Sequence, residues 1–240
     1  MTKILAIDSS TEACSVALEI DGKTYHQFEI APRQHAQLLL PMVDNLLNQA
    51  DISLDQLDAV ACCVGPGAFT GLRIAISVAQ GLSYATNLPC IPISSLELLA
   101  AEAFSNSDAQ YCLSALDARM KEVYFSVYKN IGKGLAEEVH TQQVIAADKI
   151  ELDPTLLLEM NKTVAKASSV IKAGTGWDEY EFSQVIKSLD IAVMQIKYPN
   201  AKMMLPLALE KLRQKKWVKA ESLQPVYIRN NVAKKKSQQK

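Results

Sequence analysis

Two aspartates and one glycine-rich loop hold most of the chemistry this chain could do. Asp8 ends the apolar run "ILAID" and Asp117 ends "CLSALD". A carboxylate at a strand end can orient a Mg²⁺–nucleotide, but the same residue also caps turns, and both readings stay open from the residues alone. Between them lies "GPGAFTGLRIA", Gly65 to Ala75. Its strand–loop–helix context suits an anion at a helix N-terminus. Its spacing fits neither phosphate-loop template: Gly71 is followed by Leu72 rather than lysine, and Gly65, Gly67 and Gly71 run one residue too long for G-x-G-x-x-G. A tight turn, a partner contact and a phosphate contact remain as readings. Thr70 is placed to cap the helix, and Arg73, unfavourable to the dipole on the first turn, asks for a reason such as an acidic partner group.

No other catalytic or metal-binding set stands out. His26, His35 and His140 are scattered, with no His-x-x-x-His pair, and no serine sits in G-x-S-x-G. The five cysteines are odd in number, lack a C-x-x-C pair and lie mostly in apolar runs. They read as buried free thiols of a cytoplasmic protein. No apolar window is long enough to span a bilayer.

The elements that must position these residues repeat. "ILAIDSSTEACSVALEI" and "CLSALDARMKEVYFSVY" are both strand, Asp, polar turn, strand. One copy per lobe predicts a duplicated α/β architecture of mixed sheets flanked by helices, with the paired aspartates across a cleft. The polar stretch "SNSDAQ" sets the boundary. Residues 1–106 form the first lobe, 107–215 the second and 216–240 an extended C-terminal segment with a basic tail. The helix at about 200–215 is a candidate to pack back on the first lobe. In the first lobe, Asp21-Gly22 predicts a two-residue hairpin turn.

Two helices of that lobe carry more apolar surface than one stripe. They are "QHAQLLLPMVDNLLNQA" and "FTGLRIAISVAQGLSYAT". Either both are wholly buried, or part of their surface meets another chain. The partner-facing residues expected are Leu39, Met42, Val43, Leu46, Arg73, Ile74, Val78 and Leu82. The same surface predicts a homodimer when no other partner is present. Net charge is −1, so direct, unaided nucleic-acid binding has no basic footprint. The lysines of "VAKKKSQQK" read as a solubilising terminus or a weak touch on RNA.

The strings "ILAIDSSTEACSVAL", "HAQLLLPMV", "CCVGPGAFTGLRIAISVAQGLS" and "ISSLELLA" together resemble the TsaB (YeaZ) family of bacterial tRNA-modification proteins. "LDARMKEVYFSVY" and "QPVYIR" extend the likeness more thinly towards the C-terminus. The resemblance implies the two-lobed ASKHA fold of actin, Hsp70 and sugar kinases. It implies a non-catalytic role in forming threonylcarbamoyladenosine beside the anticodon of tRNAs that read codons beginning with A. The family pairs with its paralogue TsaD, which transfers the threonylcarbamoyl group from its adenylate, and the ATPase TsaE joins them. tRNA is then met through the complex. By the same resemblance Asp8, Ser9, Thr11, Gly174 and Gly176 are a vestigial nucleotide site. No cofactor is bound tightly by this chain, and ATP or ADP belongs to the assembled complex. Where TsaD carries a His-x-x-x-His pair and an aspartate on a metal ion, this chain has Ser95, Leu99 and Pro199, none able to hold iron or zinc in that way. The alternative is an ASKHA-type ATPase or phosphotransferase using Asp8 and Asp117.

Overall fold

The computed structural model describes residues 2–163 and 169–229. The first lobe opens with β1 (Ile4–Asp8), β2 (Ala13–Ile20) and β3 (Lys23–Ile30). Asp21 and Gly22 both take positive φ, 52° and 81°, which is the two-residue turn the sequence predicts. Helix α1 (His35–Gln49), β4 (Ala59–Gly65), α2 (Phe69–Thr86), β5 (Cys90–Ser94) and α3 (Ser95–Ser105) follow. The strands make one sheet in the order β3-β2-β1-β4-β5, antiparallel among the first three and parallel between β1, β4 and β5.

The second lobe repeats this plan. Its strands are β6 (Tyr111–Asp117), β7 (Glu122–Asn130), β8 (Ala136–Ala146), β9 (Val170–Ala173) and β10 (Ala192–Val193). Between them run α4 (Pro154–Thr163), α5 (Gly176–Glu179) and α6 (Gln184–Lys187), and α7 (Met204–Arg213) comes last. The sheet order, β8-β7-β6-β9-β10, is that of the first lobe, with the same antiparallel and parallel pairings. This is the duplicated ASKHA-type fold. Asp8 and Asp117 end equivalent strands.

Strand alternation decides the layers. Leu5 and Ile7 of β1 face α1 and α2, whereas Ile4 and Ala6 face α3 and α7. Helix α3 is buried on two sides. Its Leu98 and Ala101 pack on the first sheet, and its Leu96, Leu99, Ala100, Ala103 and Phe104 on the second. Helix α7 lies on the first sheet, with Met204, Leu205, Leu207 and Ala208 buried against β1, β4 and β5. So do residues 216–223: Val218 bridges Cys90, and Ala220 and Leu223 join the core under α2. The chain thus passes through the second lobe and returns. The lysine-rich tail lies outside the described residues. Among those described, no helix is long and apolar enough to cross a membrane.

Candidate functional site

The loop Gly65–Gly71 is held by the first hairpin, and its Gly67, Ala68 and Phe69 line the cleft between the lobes. Ala68 N donates to the Ser10 carbonyl at 2.7 Å, and the Ser9 hydroxyl donates to the Gly71 carbonyl at 2.8 Å. The Ser95 hydroxyl donates to the Pro66 carbonyl. Gly65 takes φ +106°, a conformation side chains rarely adopt. A Cβ on Gly67 would stand 2.2 Å from the Ser10 oxygen. The tight-turn reading accounts for these glycines, and one amide at the helix start is already taken by the chain's own carbonyl. One expectation fails here. The N-cap of α2 is Ala68, which has no side-chain cap, and Thr70 lies inside the helix and exposed. Arg73 finds an aromatic rather than an acidic partner. Its guanidinium stands 4.0 Å from the centre of the Phe69 ring, one turn back, and its Nε donates to the Tyr227 hydroxyl at 3.2 Å.

The two aspartates occupy different environments. Asp8 is fully buried and its Oδ1 accepts from Ser10 N at 3.0 Å. Burial raises its pKa above the ordinary carboxylate value, and the Ser10 hydrogen bonds only partly oppose this. Oδ2 has no hydrogen-bond partner among the described residues. Asp117 is satisfied within its own lobe. Its Oδ1 accepts from Arg119 N and from the Tyr180 hydroxyl, both at 2.7 Å, and its Oδ2 pairs with Arg119 at 2.9 Å. The Tyr180 pKa rises because its hydroxyl donates to that carboxylate.

Between the lobes lies a cleft of about 460 Å³. Of the five residues of the expected vestigial nucleotide site, Thr11 lines it, and so does Asp117 of the ATPase alternative, beside Ser10 and Thr175. Asp8 and Ser9 are fully buried and lie outside the lining. Gly174 and Gly176 do not line it either, for a steric reason. A Cβ on Gly174 would stand 2.1 Å from the Ala115 carbonyl oxygen, and one on Gly176 3.0 Å from Val123. These glycines let the β9–α5 turn press on β6. Among the described residues no lysine lines the cleft. Its two arginines are engaged, Arg119 with Asp117 and, across the lobes, with Glu12 at 3.4 Å, and Arg229 with Glu122.

The partner-facing residues divide. Leu39, Met42, Val43 and Leu46 point into the first-lobe core, at 0%, 7%, 3% and 0% exposure. The sequence assignment of all four to an outer surface is corrected, because the 3.6-residue period turns this side of α1 onto β1 and β2. The outward face of α1 carries Leu40, 51% exposed, and Asp44. On α2, Arg73 is exposed, and Ile74, Val78 and Leu82 are half-buried at the edge of the same core. Between α1 and α2 a groove of about 520 Å³ is lined by Leu40, Leu47, Ile52, Leu54 and Leu82, with Val43 also in its wall.

At the positions where the resemblance places metal ligands, Ser95 and Leu99 share one face of α3 and are fully buried. Ser95 binds the loop carbonyl and Leu99 packs on the second sheet. Pro199 is buried as well. Among the described residues no group of three or more His, Cys, Asp or Glu could hold a metal ion. All five cysteines are buried and free.

Sequence reasoning missed the contacts of Arg119, Thr175, Tyr227 and Arg229. Arg119, Met120 and Lys121 all take positive φ, 62°, 59° and 65°, and so build the hairpin tip that carries Arg119 to Glu12. No glycine marks that tip, so the usual turn signal is missing. Tyr227 and Arg229 stand in "QPVYIR", a string already singled out, but only the fold brings them to α2 and β7.

Comparison with known proteins agrees with this geometry. Residues 28–237 match the family described as TsaD, tRNA N6-adenosine threonylcarbamoyltransferase. The tRNA threonylcarbamoyladenosine biosynthesis protein TsaB of Escherichia coli is 39% identical over 98% of this chain and 97% of its own length. The protein of the same name from Haemophilus influenzae is 38% identical, covering 97% of this chain and 96% of its own. The solved structure of YeaZ from Pseudomonas aeruginosa superposes with a TM-score of 0.81 at 36% identity, over 95% of this chain and all of that one. The chain belongs to the TsaB (YeaZ) family.

Proposed function

We propose that this chain is an accessory, non-catalytic subunit in the formation of threonylcarbamoyladenosine in tRNA. It binds and supports a TsaD-type transferase, and a TsaE-type ATPase completes the assembly. Family membership supports the pathway. The observation that carries the supporting role is the apolar groove between α1 and α2, rimmed by Leu40, Leu47 and Leu82 on the outside of the first lobe. It lies on the opposite face of the sheet from α3 and α7. Half-buried Ile74 and Val78 continue it along α2. A paralogue's equivalent helices could cover this face, and a second copy of the chain could cover it in the paralogue's absence. tRNA reaches the chain through the complex.

The ATPase reading is opposed by the site itself. Asp8 is buried behind the loop, Asp117 is engaged by Arg119 and Tyr180, and among the described residues no lysine faces the cleft. Reconstitution tests the proposal. Purified TsaD and TsaE should modify tRNA efficiently only when this chain is added, and the chain alone should neither bind nor turn over Mg-ATP. Full modification without it, or turnover by the isolated chain that Asp8→Ala abolishes, sinks the proposal.

A further inference from the structure

The C-terminal segment after Leu223 crosses the interlobe cleft. Up to Leu223 it is anchored on the first lobe: Leu223 is 1% exposed and its carbonyl accepts from Gln80 Nε2 at 2.9 Å. Beyond Gln224 and Pro225 the chain is held at only a few points. Val226 N donates to the Val64 carbonyl at 2.8 Å, at the end of β4. The Tyr227 ring stacks on Phe69 at 5.9 Å and its hydroxyl accepts from Arg73. Arg229 then reaches the second lobe, pairing with Glu122 at the start of β7 and touching the Met120 sulfur at 4.0 Å.

Space remains on both sides of this segment. Val226 and Ile228 line the interlobe cleft and also line a second cavity of about 440 Å³, bounded by Pro92, Glu97 and Lys211. The segment is therefore a partition in one larger groove rather than packed core. Val226 and Tyr227 remain 48% and 49% exposed. Sparse contacts and half-exposed side chains are the marks of a segment that opens at low cost. The Arg229 side chain, by contrast, is only 16% exposed and that of Glu122 37%, so the ion pair is partly sheltered. A sheltered, hydrogen-bonded ion pair holds more firmly than an exposed one.

We infer that residues 224–229 are an intramolecular strap, latched by Arg229 to Glu122, that occupies the chain's own interlobe groove and divides it into two cavities. Released, the strap would merge the two cavities into one groove open along its length. Elsewhere the lobes are joined by the buried helix α3, which packs on both sheets, and by the exposed Arg119–Glu12 pair, at 76% and 43%. The inference needs no partner and stands apart from the proposed function.

The test uses the full-length chain in four forms: unchanged, Arg229→Glu, Glu122→Arg and the double exchange. Amide hydrogen exchange at Val226 reports the strap, and exchange at Ala61 and Leu113 reports the two sheets. Arg229→Glu should speed Val226 exchange by about tenfold or more. Ala61 and Leu113 should stay protected. The double exchange should restore slow Val226 exchange. Unchanged Val226 exchange in Arg229→Glu overturns the latch. An acceleration that spreads equally to Ala61 and Leu113 overturns it too, because Arg229 would then be a general stabiliser.

Discussion

Gly71 lies so close to Ser9 that a Cβ built on it would stand 2.0 Å from the Ser9 carbonyl oxygen. The obstacle is backbone, and the Ser9 hydroxyl is itself bonded to the Gly71 carbonyl, so neither side can give way cheaply. Gly81, ten residues further along α2, has nothing within 4 Å of its would-be Cβ. The two glycines should respond to alanine with opposite signs. Gly71→Ala should destabilise the isolated chain by about 3 kcal/mol or more, the upper range of overpacking. Gly81→Ala should stabilise it by about 0.5–1 kcal/mol, because alanine loses less backbone entropy in a helix. Urea unfolding of both variants checks the pair, and equal effects would mean that the loop does not press on the hairpin.

The duplicated lobe was legible because it is written locally. Each copy joins an apolar run, an aspartate, a polar turn and a second apolar run, and Asp21-Gly22 announces its own turn. The burial of α1 was not legible. "LLLPMV" is apolar on adjacent positions, so the sequence marks excess apolar surface without saying which third faces the sheet. Leu39 went in and Leu40 out, one residue apart. Strand β8 and helices α4 to α6 were not read at all. β8 pairs only with β7, at the sheet edge, and its alternation is broken by register shifts near Val127. The strap was invisible for another reason. Its contacts join Tyr227 to Phe69 and Arg229 to Glu122, more than 100 positions apart in the chain, and no local pattern encodes them.

That one-residue difference separates folding from assembly. Leu40→Glu alters a half-exposed side chain and should change stability by no more than about 0.5 kcal/mol. If the groove between α1 and α2 is the docking face, the same change should abolish co-purification with TsaD and shift any homodimer to monomer on sizing. Leu39→Ala, at 0% exposure, should instead cost about 2–5 kcal/mol of stability. A Leu40→Glu chain that still assembles normally would move the interface elsewhere.

The thiols offer an independent check on packing. All five cysteines are buried, and burial raises the pKa of Cys62 and Cys63 well above the ordinary thiol value and that of Cys14 and Cys112 to about 12. The thiolate is the reactive form, so both access and ionisation are suppressed at neutral pH. Ellman's reagent should titrate all five in denaturant and react only slowly with the native chain. Rapid reaction of even one thiol under native conditions would show that a strand core is open.

Asp8 should make stability depend on pH in the direction opposite to that of a salt-bridged carboxylate. Burial raises its folded-state pKa above 3.8, so between that value and the raised one the folded chain holds a proton that the unfolded chain has lost. Stability from this group is therefore greatest at low pH and declines as pH climbs through the window. Once Asp8 is ionised in both states, the cost of a buried carboxylate with one unpartnered oxygen is fully present. Asp8→Asn keeps an acceptor for Ser10 N and removes the titration. The difference in unfolding free energy between the two proteins should move in favour of the asparagine variant as pH rises from 4 towards 8. Guanidinium unfolding of both across that range measures it. A difference that stays flat, or that moves towards the wild type, would show that Asp8 ionises in the folded chain as readily as in the unfolded one, with the loop open enough to solvate it.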